Sequence, residues 1–310
     1  MKTFIRPSVL ATIVVLVLLP ALLPNNFMMD IAIRVALTAI AVIGLNLLMG
    51  FAGQVSIGHA AFVAIGAYGS GIISAHFGWP PLLAIVAAAF GSAVIAWLVA
   101  KPVLRLKGHS LTMATLGLGV IVNIVLINEV AWTGGPDGMA VPPLQVGSFV
   151  FGKLLHWYAL AAVLLVVAIQ LSLNLFESPA GRALRGLHGS EVAARVVGVN
   201  VGAYKVRVFV ASAVFATVAG SLTGHYLGFI SPSMSAFSHS VELATMVVLG
   251  GMASTFGAVI GAALLTVLPQ LLGGLHGYEA IVFGLILMLT MMFMPKGLVP
   301  SIAQKLRKKS

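Results

Sequence analysis

The sequence predicts an all-α fold: a polytopic membrane helix bundle of about 8–10 transmembrane helices with broken or re-entrant segments. Three observations carry that expectation. Hydrophobic residues make up 60% of the 310-residue chain and charged residues 8%, against roughly 25% charged in an ordinary soluble domain. Mean hydropathy is +1.10, so the chain has too little polar surface to face water on all sides. Apolar runs close to the ~20 residues that cross a hydrocarbon core recur along its whole length. The 34 glycines suit closely packed membrane helices.

In chain order, apolar runs place helices at 8–23, 30–50, 57–77, 82–100, 111–131, 156–175 and 206–229. A long apolar region at 241–272 and a last helix at 279–294 follow. Lys2 and Arg6 ahead of the stretch from Pro7 to Pro20 resemble a signal peptide, but no clean small-x-small cleavage site follows, and the stretch reads as a retained first span. No soluble domain is expected, and 1–310 reads as a single transmembrane domain with polar-leaning loops at 132–155 and 176–205.

The net charge of +10 is distributed as in a membrane protein. Lys101, Arg105 and Lys107 share one loop; Arg182, Arg185, Arg195, Lys205 and Arg207 share another. Lys2 and Arg6 open the chain, and Lys305, Arg307, Lys308 and Lys309 close it. By the positive-inside rule these clusters and both termini are cytoplasmic, and the 132–155 loop, with Lys153 alone, is external. Nucleic acid is not an expected partner, since no zinc-finger or RNA-binding signature accompanies the charge. Membrane lipid is.

Charge parity then constrains the late apolar region. With the 176–205 loop and the C-terminus both inside, 241–272 must begin and end on the outer side, so it folds back on itself. The break falls at Gly250-Gly251, ahead of Ser254 and Thr255, residue types that cap a new helix. A second glycine-rich interruption runs from Gly50 to His59; it is a broken transporter helix or a plain turn between spans.

Catalytic chemistry is poorly represented. Cysteine is absent, removing thiolate metal sites and thiol nucleophiles. No Walker A loop, Gly-x-Ser-x-Gly elbow or His-Glu-x-x-His motif occurs. The eight histidines read as surface or interface residues, and no metal or cofactor is expected. Carboxylates lie mostly at helix ends. Asp30, Glu242 and Glu279 read as helix-start charges favoured by the macrodipole, which argues against a proton- or sodium-coupled carrier.

The 176–205 loop is the most informative polar segment. Ser190 can cap a short helix with Glu191 in its first turn, and Gly198 can end it in a left-handed cap. Small Ala193 and Ala194 would admit a partner surface; a helix lying on anionic head groups is the other reading.

Four stretches together resemble a known family, the LivM-type permeases of branched-chain amino-acid ABC importers. They are GLNLLMGFAGQVSIGHAAF at 44–62, TGGPDG at 133–138, EVAAR with GVN at 191–200, and VVLGGM at 247–252 with FMPKGL at 293–298. The resemblance covers about residues 30–300. It implies an alternating-access permease whose 190–200 segment couples to a cytoplasmic ATPase through Glu191, Ala193, Ala194 and Gly198. It also implies a second homologous permease, two ATPase subunits that use the ATP, and a periplasmic substrate-binding protein at a bacterial inner membrane. Candidate path residues are the polar groups near the two breaks: Asn46, Gln54, Ser56, His59, Ser254 and Thr255. Related permeases for urea, short amides or aromatic acids share much of the pattern. An autonomous carrier or channel, or an intramembrane enzyme, remains as a reading from another class.

Overall fold

The structure, a computed structural model, describes residues 7–271 except 24, 105, 107 and 148, together with 284, 285, 288, 292, 294 and 297–301. The expected last helix at 279–294 lies mostly outside the described residues, as do both terminal basic clusters.

Twelve helices are traced through residue 271: α1 Pro7–Leu22, α2 Asn26–Asn46, α3 Ala60–His76, α4 Pro81–Val103, α5 His109–Asn128 and α6 Val130–Thr133, then α7 Leu154–Glu177, α8 Pro179–Gly189, α9 Glu191–Val196, α10 Val201–Leu227, α11 Phe237–Gly250 and α12 Thr255–Leu271. The expected spans are all present among the described residues, each displaced by a few residues at its ends. Local chemistry sets those ends: Pro81 opens α4, Asn200 Oδ1 caps α10 by accepting from the Ala203 N–H at 3.1 Å, and Gly228 closes α10 at φ 69°. The 132–155 loop carries more order than expected. Its strand β1 Met139–Ala140 pairs with β4 Phe229–Ile230 beyond α10, and β2 Gln145–Val146 pairs with β3 Phe149–Val150.

Apolarity alone does not rank the helices, but burial does. In α2 with its extension to Phe51, 72% of the most apolar window is buried, against 22–28% in α4, α5 and α7. Helix α2 is therefore the axis of the bundle, and α7, α10 and α12 pack around it. The outward faces of α4 and α5 present Val86, Phe90, Ile121 and Ile124, as suits helices whose neighbour is lipid.

Helices α3 and α10 run side by side in the same direction. Thr217 Oγ1 donates to the Phe62 carbonyl at 3.1 Å, and Ser221 Oγ donates to the Gly66 carbonyl at 2.8 Å. A Cβ on Gly66 would lie 2.0 Å from the Thr217 carbonyl oxygen, and one on Gly220 would lie 1.9 Å from that of Val63. Between apolar helices in lipid there is no hydrophobic driving force, so close backbone approach and interhelical hydroxyl bonds hold the pair.

The fold-back in the late apolar region is present. Helices α11 and α12 run antiparallel, with Gly250 against Gly257 and Gly261 against the Met246 carbonyl. At 14 residues, α11 reaches only about 21 Å, short of a ~30 Å core. The tip is tight: Gly251 has φ 117° and Ala253 φ 59°, and Ser254 Oγ caps α12 by accepting from the Gly257 N–H at 3.0 Å.

Gly66→Ala is expected to destabilise the bundle by about 1–3 kcal/mol through overpacking. A lower melting temperature of the detergent-solubilised protein checks it; an unchanged one would mean that α3 and α10 part easily.

Candidate functional site

The two glycine-rich breaks meet in the interior. Helix α2 passes into a short π-helical turn at Leu47–Phe51, and the chain then runs without helix to His59. Asn46, at the end of α2, grips the hairpin tip with both ends of its amide. Its Oδ1 accepts from the Ala253 N–H at 3.0 Å, and its Nδ2 donates to the Ser254 carbonyl at 3.0 Å. Gly50 comes so close that a Cβ there would lie 2.2 Å from the Ala253 nitrogen. Thr255 Oγ1 and Ser172 Oγ of α7 share a hydrogen bond of 2.9 Å.

The remaining candidates line the other side of the break. His59 is fully buried, with Nε2 3.1 Å from Ser212 Oγ of α10. The next N–H, of Ala60, donates to Ser240 Oγ of α11, and that of Ile57 to Thr115 Oγ1 of α5. Ser56 is buried too. Gln54 is 3% exposed, and neither amide atom has a partner among the described residues, an arrangement that costs roughly 1–3 kcal/mol. Asn46, Ser254 and Thr255 thus form one cluster, His59 belongs to a second, and Gln54 stands apart.

On the basic side, the 176–205 segment forms an arm of two helices where one was expected. The additional helix, α8, has its start signals in plain view: Ser178 Oγ accepts from the Gly181 N–H at 3.1 Å, and Pro179 takes the first helical position. Helix α9 is built as its sequence predicts. Ser190 Oγ accepts from the Ala193 N–H at 3.2 Å, and Gly198 has φ 84°. The Gly198 N–H donates to the Arg195 carbonyl and that of Val199 to the Ala194 carbonyl, closing a Schellman motif. Glu191 pairs with Lys205 of α10, whose side chain is only 6% exposed.

Some assignments change. Lys205 is no loop charge: it is buried in α10 behind Glu191. Ala193 is exposed, but Ala194 faces inward and packs with Leu187 and Val201, so its small size serves the arm's own packing. The outer surface is instead apolar, with Val192 70%, Val196 82% and Val197 78% exposed; their spacing around a short helix could have signalled it. His59 and His225 are buried rather than peripheral, His225 Nδ1 lying 2.8 Å from the Pro142 carbonyl. Asp30 and Glu242 lie beyond the first turns of their helices and have side-chain partners, Arg34 with Tyr226 and His239 respectively. The arm also touches the break. The His188 ring lies against Gly53, and Phe176 meets Phe51 with ring centroids 4.9 Å apart.

The structure thus combines an apolar bundle around a central axis, two buried breaks and a capped two-helix arm with an apolar outer ridge. Residues 27–295 match the family described as branched-chain amino acid transport system / permease component. The chain belongs to that permease family. It is 34% identical over 310 residues to the high-affinity branched-chain amino acid transport system permease protein LivM of Salmonella typhimurium LT2, covering 91% of this chain and 72% of that one. LivM of Escherichia coli K12 is 33% identical with the same coverage. LivH of Escherichia coli K12 is 29% identical over 282 residues, covering 84% of this chain and 90% of the relative. No solved structure matches. The protein is a multi-pass membrane permease component.

Asn46→Ala would leave the Ala253 N–H unpaired in the interior and take from the Ser254 carbonyl one of its two donors, the Ala258 N–H remaining, at an expected cost of about 1–3 kcal/mol. Hydrogen exchange at the 251–254 tip should rise in this variant; a tip as protected as in the parent would show that Asn46 is not its clamp.

Proposed function

We propose that this chain is one half of the membrane pathway of an ATP-driven importer of branched-chain amino acids, with α9 seated in a cytoplasmic ATPase subunit. The observation that carries the proposal is the ridge of exposed Val192, Val196 and Val197 on a helix held from behind by Glu191 and Lys205. A six-residue helix is far too short to persist alone. Here two caps and a nearly buried cation fix it, and a cation in that setting is costly without its partner. Solvent-facing valines on such a pre-organised helix fit a docking element whose partner buries them. Glu191, Ala193 and Gly198 then act through the helix's shape: the anchor, the exposed small residue and the left-handed end.

The arm gives docking a mechanical consequence. ATP binding closes two ATPase subunits, which would carry α9 and α8 with them. His188 on Gly53 and Phe176 on Phe51 would pass that displacement to the break after α2. A second, homologous permease completes the path, and the helices rock around it in alternating access. The basic residues Lys101, Arg182, Arg185 and Arg195 support, by the positive-inside rule, a cytoplasmic arm in a bacterial inner-membrane protein with both termini inside. A periplasmic binding protein delivers substrate to the opposite face. The chain itself uses no cofactor; ATP is consumed by the partners. The names of the LivM and LivH relatives support the substrate class.

Val196→Asp combined with Val197→Asp is expected to abolish co-purification with the ATPase and to cut amino-acid uptake more than about tenfold, while the chain still inserts. Retained association would overturn the docking assignment. Proteoliposomes holding this chain alone are expected to show no leucine uptake; robust uptake would instead identify an autonomous carrier.

A further inference from the structure

At the end of the bundle opposite the arm, two cavities adjoin, one between α2, α10, α11 and α12, the other between α2, α3, α10, α11 and the turn at 232–235. The outer one, about 250 Å³, is lined by Arg34, Tyr226, His239 and Glu242. The deeper one, about 220 Å³, is lined by Leu37, Ala41, Val63, Ala219 and Leu243. Both include Thr38, Thr223 and His239. The chain has only seven acidic residues, and Asp30 and Glu242 are both committed to this one region. Charged side chains on membrane helices are expensive; Arg34 and Glu242 here keep 43% and 37% of their side chains exposed.

The charges here are only partly used. Arg34 Nε donates to Asp30 Oδ2 at 2.8 Å, and Asp30 also accepts from the Tyr226 hydroxyl. The two terminal guanidinium nitrogens of Arg34 make no hydrogen bond among the described residues. Glu242 Oε2 lies 3.2 Å from His239 Nδ1, and its Oε1 is without a partner there. A guanidinium with a free fork and a carboxylate with a free oxygen therefore line one cavity, and an aliphatic chamber opens beside it.

We propose that these chambers form a vestibule for a zwitterionic amino acid with an aliphatic side chain. Its carboxylate bridges the free Arg34 fork, its ammonium meets Glu242, and its side chain enters the chamber of Leu37, Ala41 and Val63. Asp30 and Tyr226 are positioning residues that hold the Arg34 side chain. Bidentate guanidinium–carboxylate geometry is strong and directional, and an apolar wall discriminates among side chains by size. The inference rests on the amino-acid import reading and assigns it a place.

The absence of cysteine makes the test direct. Thr38→Cys puts a single thiol in this chain where the two chambers meet. The complete importer, reconstituted with cysteine-free partners, is treated with a membrane-impermeant maleimide while uptake is followed in parallel. L-Leucine is expected to slow labelling in a saturable manner. 4-Methylpentanoate, which lacks the ammonium, and 3-methylbutylamine, which lacks the carboxylate, should each protect about tenfold less well or worse, the loss expected from one charged hydrogen bond. Adding Glu242→Gln should abolish the preference for leucine over 4-methylpentanoate, an effect that mere structural damage would not produce. Leucine uptake without protection of the thiol, or equal protection by all three compounds, would overturn the vestibule and leave the import reading intact. Failure of the parent complex to import leucine would overturn the import reading itself.

Discussion

Every backbone polar group at membrane depth must find a partner inside the protein, and that requirement governs the interrupted segments. A helix satisfies it automatically; a broken one does not. The chain breaks twice, at 52–59 and at 251–254, and each break is repaired by side chains from elsewhere. Asn46 holds the hairpin tip, while Thr115 and Ser240 take the N–H groups that flank Gly58 and His59. Glycine makes the repair geometrically feasible, because at Gly50 and Gly58 a side chain would occupy the space of the partner's backbone.

This explains what could be read from the sequence and what could not. Helix existence and order were legible because hydrophobic run length is a local property. The fold-back of 241–272 was legible for a different reason, since the charge parity of flanking loops left no other topology, and α11 is indeed too short to cross. That the two breaks face each other was not legible. Asn46 and Ala253 are distant in sequence, and their pairing is a product of packing. The same holds for Lys205, which looks like one more basic loop residue until α10 is seen to begin at Val201 and to carry it inward. The charged vestibule was hidden by a sound local argument. Asp30 and Glu242 have partners on their own helices, Arg34 four residues on and His239 three residues back, and only packing brings Arg34, His239 and Glu242 onto a shared cavity.

Two kinds of contact hold the interior together. Helices α3 and α10 are joined backbone to backbone along Gly66 and Gly220, with Thr217 and Ser221 bonding across. Such a pair is packed without slack. The hairpin tip is held by side chains as well, namely both ends of the Asn46 amide, the Ser254 cap and the hydroxyl pair of Thr255 with Ser172. Gln54, buried without partners beside the break, marks a place where this conformation is not the best available to every group.

The valine ridge on α9 has a consequence for the life of the protein before it is assembled. Because caps and the Glu191–Lys205 pair shape the helix from within the chain, the ridge is presented as soon as the chain has folded in the membrane, whether or not an ATPase is present. An orphan subunit on this docking reading carries an uncovered oily patch into the cytosol, and a completed complex does not. On that reading, a feature that would transmit force would also report assembly state, giving chaperones and proteases a chemical distinction between surplus and assembled copies.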